Sequence, residues 1–106
     1  MADKDLTEFV KLIEDRSYAV AHEALEHRWR ELRSVNMVES NLVKGYINAA
    51  TSFELHVRGK TAQSKKVWCT FLKYRSNINS IDSVKKEMYQ KVDSIILNTF
   101  NRNFNT

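Results

Sequence analysis

The chain has 106 residues, of which 42% are hydrophobic and 28% charged, with a formal net charge of +4 at pH 7. That composition describes one folded domain with a single modest core, and it excludes a disordered segment. With two glycines and no proline the chain cannot build a phosphate-cradling glycine loop, and no apolar run approaches the roughly 20 residues of a membrane span.

Apolar residues recur at helical spacing throughout. A first helix is predicted from about Lys4 to Glu14, with Asp3 or Asp5 as N-cap, Glu8 completing a capping box with Asp5, and Leu6, Phe9, Val10 and Ile13 as its apolar face. A second runs unbroken from Tyr18 to about Arg33, with Tyr18, Ala21, Leu25, Trp29 and Leu32 as its stripe. Asn36 and Glu39 repeat the cap pattern at the start of a third helix, about Met37 to Arg58. Its main stripe is Val38, Leu42, Tyr46, Ala49, Phe53 and Val57, and Val43, Ile47 and Leu55 add apolar surface elsewhere, the mark of a central helix. Gly45 lies beside that stripe, where a missing side chain admits a neighbouring helix, and Gly59 is placed to end the helix. A fourth helix, about Thr61 to Ser76, packs through Trp68, Phe71 and Leu72. A fifth, capped by Ser80 or Asp82, extends to about Phe100 with Ile81, Val84, Met88, Val92, Ile95 and Thr99 inward, and residues 101–106 form a frayed tail. The expected architecture is a single all-α domain over residues 1–106, a compact bundle of about five helices whose second and third form a central antiparallel pair. Leu25, Trp29, Leu42, Tyr46, Ala49, Phe53, Trp68, Phe71, Met88 and Ile95 are its expected core.

Chemistry concentrates on the second helix, in the run His22-Glu23-Ala24-Leu25-Glu26-His27-Arg28-Trp29. At roughly 100° per residue, His22 falls within about 40° of the centre of the apolar stripe and Glu26 lies at its edge. An imidazole and a carboxylate carried toward a core are costly unless they are paired or hold something. His22, Glu23, Glu26, Trp29 and Asn48 are therefore the candidate polar cluster. The pattern His-Glu-x-x-Glu lacks the second histidine of the zinc-protease motif, so no metal is assigned, with His22, Glu26 and the inward His56 as weak candidate ligands. His27 points to the solvent side, and Glu26 with Arg30 has the spacing of an ordinary helix ion pair. The lone Cys69 forms no internal disulfide and reads as a packing residue between Trp68 and Thr70. No serine or cysteine triad can be assembled around a marked nucleophile. Arg58, Lys60, Lys65 and Lys66 cluster at one turn, but the charge is mild and no nucleic-acid motif accompanies it. The opening Met-Ala-Asp-Lys-Asp carries no apolar signal segment, so the expected location is the cytoplasm, away from membranes.

The segment from Tyr18 to Trp29 resembles the signature of a small helical family, domain-of-unknown-function family three hundred and nine: an aromatic, Ala-His-Glu, a glutamate three residues on, then a tryptophan. Gly45-Tyr46-Ile47-Asn48-Ala49-Ala50 is similar to the family's Gly-Leu-Ile-Gln-x-Ala, and Arg58-Gly59-Lys60 to its Arg-Gly-Asn, with Asn48 and Lys60 departing from the usual residues. The resemblance covers about Tyr18 to Leu72. It implies an all-helical bundle and selects residues, while attaching no reaction and no cofactor to them.

Two functions of different class follow. One is a non-catalytic module, self-associating as a homodimer, in which a structural His22–Glu26 network fixes helix packing. Its motive is the apolar surface on several faces, namely Val20, Ile47, Leu55, Tyr74 and Tyr89. The other is a small enzyme or ligand-binding protein with a polar pocket at His22, Glu23 and Glu26, possible metal assistance included, its ligand unknown. A sealed, fully bonded cluster favours the first and an open recess with spare polar groups favours the second.

Overall fold

Leu6, Phe9 and Ile13, spaced three and four apart, seat the first helix, α1 (Lys4–Glu14), on the core of a computed structural model that describes residues 4–104. The Asp3 alternative for its cap lies outside those residues. Asp5 stands inside the first turn and accepts from the Leu6 N–H at 2.9 Å. The helix closes on Arg16, which takes a left-handed φ of 62° while Ser17 N–H returns to the Leu12 carbonyl at 2.8 Å.

The predicted second helix is interrupted. It forms as α2 (Tyr18–Ala24) and α3 (Glu26–Leu32), broken at Leu25, whose φ of −104° and ψ of 0° depart from ideal helix angles while staying in the right-handed region. No proline or glycine causes the break. It falls where Leu25 is sealed in the core and where Arg28, one turn later, is drawn inward to Asp5. With these halves counted as one kinked helix, the bundle has the five helices expected, and the described residues contain no strand.

α4 (Met37–Val57) is the central helix, packed against α2, α3, α5 and α6. Asn36 caps it, accepting from the Glu39 N–H at 3.1 Å. The kinked second helix pairs with α4 as expected, and α5 (Thr61–Tyr74) packs on it more extensively still. Small residues permit that approach: a Cβ on Gly45 would meet the Tyr74 Cβ at 3.2 Å. Further along, the Ser52 and Ser64 hydroxyls each donate to the other's carbonyl at 2.8 Å. Gly59 ends α4 with a φ of 82°, while Gly59 N–H reaches the His56 carbonyl and Lys60 N–H the Leu55 carbonyl. A 3-10 turn (Arg75–Ser80) leads into α6 (Ser83–Asn103), capped by Asp82.

The face that α6 buries differs from the expected one. Tyr89 and Ile96 are fully buried with Val92, whereas Val84 is 85% exposed and Met88 and Ile95 are only half-buried. The rotation is set by polar groups that an apolar stripe does not count. Tyr46 donates to the Tyr89 carbonyl at 3.0 Å, and Arg75 holds the buried Asp93 at 2.7 and 3.1 Å. α6 also runs past Phe100, and Phe104 stacks on Phe53 at 4.7 Å, so residues 101–104 are not a frayed tail; 105–106 lie outside the described residues. Leu72, Val38, Val57 and Cys69, read as inward, are exposed, and Trp29 is half-buried beneath the Arg33 guanidinium. The radius of gyration, 12.8 Å, is that of a compact chain of this length, about 13 Å.

Candidate functional site

His22 is half-buried and Glu23 exposed, and both line a groove between α2 and the C-terminal half of α4. The opposite wall is Thr51, Glu54 and Leu55 of α4 with its C-cap Arg58, at intervals of three, one and three residues. The groove has a volume of about 250 Å³. Arg58 is anchored there, its Nε donating to Glu54 Oε2 at 2.8 Å. Among the described residues no hydrogen bond or ion pair engages His22 or Glu23.

The rest of the predicted cluster lies elsewhere. Glu26 does not meet His22, because the break at Leu25 disturbs the one-turn register that an unbroken helix would give them; it stands 4.0 Å from Arg30 instead. Asn48 donates to the Lys44 carbonyl one turn back on its own helix, at 2.8 Å. His56 points to the other side of α4, into a recess with Ser52, Trp68 and Phe100, its ring edge-on to Phe104 at 4.8 Å. His22, Glu26 and His56 are thus apart, and among the described residues no group of three histidine, cysteine or acidic side chains is placed to hold a metal ion.

A second polar assembly went unread in the sequence. Arg28 makes a two-pronged contact with Asp5 of α1, Nε and Nη2 each donating at 2.7 Å. Its Nη1 donates to the Tyr89 hydroxyl at 3.1 Å, and that hydroxyl donates to Oε2 of Glu39, which is 2% exposed. Lys85 Nζ reaches Glu39 Oε1 at 3.5 Å. The chain of contacts ties α1, α3, α4 and α6 together and balances each buried charge with an opposite one. Its bonds fix protonation. Bonding to Asp5 raises the Arg28 pKa against the opposing effect of burial. Burial works against the Asp5 carboxylate, but the hydrogen bonds and charge of Arg28 outweigh it and hold that carboxyl below 3.8. Burial, then the bond to Glu39, pushes the Tyr89 phenol upward. These bonds brace four helices against one another. Glu39 has a cap signal in the sequence that accounts for its backbone and not for its carboxylate. Nothing in a single sequence brings Asp5 to Arg28 or Tyr89 to Glu39.

No helix among the described residues is long and apolar enough to cross a membrane. A family model described as Domain of unknown function (DUF309) matches residues 6–67, more than half of the chain, and the chain belongs to that family. No curated protein and no solved structure matches it.

Proposed function

We propose that this member of the DUF309 family is a binding module whose site is the groove between α2 and α4. One observation carries the reading: His22 and Glu23 of the signature and Arg58 of Arg58-Gly59-Lys60, distant in sequence, line one open groove, with His22 and Glu23 unspent on other described residues. A cluster kept only for packing would be sealed and mutually bonded. The Glu54 contact orients Arg58 and leaves its terminal nitrogens as donors, His22 adds a ring nitrogen, and Glu23 accepts. This set suits a small carboxylate that also carries a donor, such as an amino or hydroxy acid. Titration with glycolate, followed by amide shifts at Ala19, His22 and Thr51, is expected to saturate and to be lost in Arg58→Ala, an exposed change. Absence of saturable shifts at these positions would remove the reading.

Self-association is a second reading, supported by large apolar side chains left exposed, with Val35 at 81% and Val84 at 85%. Of the residues first suggested for it, Val20 is exposed, Leu55 and Tyr74 are half-buried, and Ile47 and Tyr89 are buried and unavailable. Sedimentation showing only monomer at tens of micromolar (on the order of a modest interface's dissociation constant) would count against a homodimer.

A further inference from the structure

A second recess, of about 580 Å³, opens at the other end of the kinked helix, where Glu39 and Arg28 meet Ala24, Leu32 and Val35. We propose that it is a binding site for small primary alkylammonium ions, separate from the α2–α4 groove and independent of it.

The two oxygens of Glu39 are unequally served. Its Oε2 accepts from Tyr89 at 2.5 Å, with Arg28 Nη1 4.0 Å away. Its Oε1 has one partner among the described residues, the Lys85 ammonium, at 3.5 Å, the outer limit of a hydrogen bond. Arg28 cannot serve Oε1 because it is committed to Asp5 and Tyr89. Lys85 reaches in from α6 on a side chain that is 52% exposed. A buried carboxylate oxygen served only by a long bond to a half-exposed cation is a place where one ammonium can replace another. The exchange keeps the charge balance and allows a charge-assisted bond of about 2.7–2.9 Å. It also returns the Lys85 side chain, with its rotamer freedom, to water.

The remaining lining explains selectivity. Ala24, Leu32 and Val35 offer an apolar wall to the alkyl chain, each buried methylene strengthening binding by roughly fourfold. Glu31 lines the recess and offsets the charge of Lys4 there. A carboxylate of the same length would meet Glu39 instead of a donor, and a quaternary ammonium has no N–H to give it.

Lys85 is then a built-in competitor, and that makes the test sharp. The full chain is titrated with butylammonium, butyltrimethylammonium and butyrate, followed by amide shifts at Ala24, Leu32 and Tyr89. Butylammonium is expected to saturate with a dissociation constant on the order of a millimolar. Lys85→Ala, a change at a half-exposed side chain that frees the buried Glu39 Oε1, is expected to tighten it by about three- to tenfold by removing the competing state. The other two probes should bind at least about tenfold more weakly, having lost the charge-assisted bond. Glu39→Gln, where it folds, should lose binding. The proposal is overturned by the absence of saturable shifts in both wild type and Lys85→Ala, by butyrate binding as well as butylammonium, or by an affinity that Lys85→Ala leaves unchanged or weakens. Shifts confined to Ala19 and Thr51 would place the amine in the other groove and equally overturn it.

Discussion

Tyr89 donates its hydroxyl proton to Glu39 at 2.5 Å across 50 residues of sequence, joining α6 to the first turn of α4. The same oxygen accepts from Arg28, so removing it strips a donor from a buried carboxylate and an acceptor from a buried guanidinium together. Tyr89→Phe keeps the ring, and keeps the carbonyl that Tyr46 bonds. It is expected to destabilise the protein by about 1–3 kcal/mol in urea unfolding. Combining it with Glu39→Gln should cost less than the two losses added, because the second change removes the charge that the first leaves bare. A Tyr89→Phe protein as stable as wild type would show that Glu39 is compensated elsewhere.

Tyr46 and Tyr89 set part of the alkaline limit. Burial pushes both phenols above 10.0, helped by the charge of Asp93 at Tyr46 and by the Glu39 bond at Tyr89. The folded chain therefore keeps two protons that the unfolded chain releases above about 10. Stability from this source is complete below that pH and falls as pH rises. Phenolate absorbance of these two residues should appear together with loss of helical circular dichroism. Phenolate formation well ahead of unfolding would contradict the burial of both rings.

Asp5 sets part of the acid limit in the opposite sense. Its carboxyl is held below 3.8 once the bonds and charge of Arg28 have overcome burial, so its contribution is present above that pH and fades as pH falls through the folded value. Asp5→Asn should be less stable than wild type at neutral pH, with the difference narrowing as pH drops below about 4. A constant difference down to strong acid would mean that packing, and not the Arg28 pair, makes Asp5 matter.

Local signals of the chain were legible in the sequence, and long-range polar ones were not. Asn36, Gly45 and Gly59 act as their positions predict because a cap, a close approach and a left-handed turn depend on neighbours in sequence or on the lack of a side chain. His22 and Glu23 were legible as a place to look because a polar pair beside an apolar stripe is visible in spacing alone. The face of α6 was misread because its inward residues include Tyr89 and Asp93, whose partners Glu39 and Arg75 come from elsewhere in the chain. The break at Leu25 was invisible for the same reason: no residue there resists a helix, and the bend goes with contacts made by Arg28 to α1 and α6.

The two left-handed helix ends form a natural comparison. Gly59 at φ 82° and Arg16 at φ 62° occupy equivalent positions after α4 and α1, with the same pattern of returning hydrogen bonds. Only glycine adopts this conformation freely; another residue is penalised by about 1–2 kcal/mol. Gly59→Ala should therefore lower stability by about 1 kcal/mol, and Arg16→Gly should raise it by up to about 1 kcal/mol. Thermal unfolding of both variants checks the pair. Destabilisation by Arg16→Gly would mean that the Arg16 side chain contributes more than its backbone costs.

The sharpest contrast is between His22–Glu26 and Tyr89–Glu39. His22 has no partner among the described residues, and Glu26 has only an exposed contact to Arg30 at 4.0 Å. His22→Ala and Glu26→Ala should then each change stability by less than about 0.5 kcal/mol, as surface changes do. The double variant should equal their sum, with no coupling. A loss above about 1 kcal/mol from Glu26→Ala, coupled to His22, would restore the structural network that an unbroken second helix suggests. It would also undercut the binding role of the α2–α4 groove, since that role requires His22 to be unspent. Unchanged stability in His22→Ala together with lost glycolate shifts would separate the two roles in one variant, because a side chain kept for binding can be removed without loosening the fold that carries it.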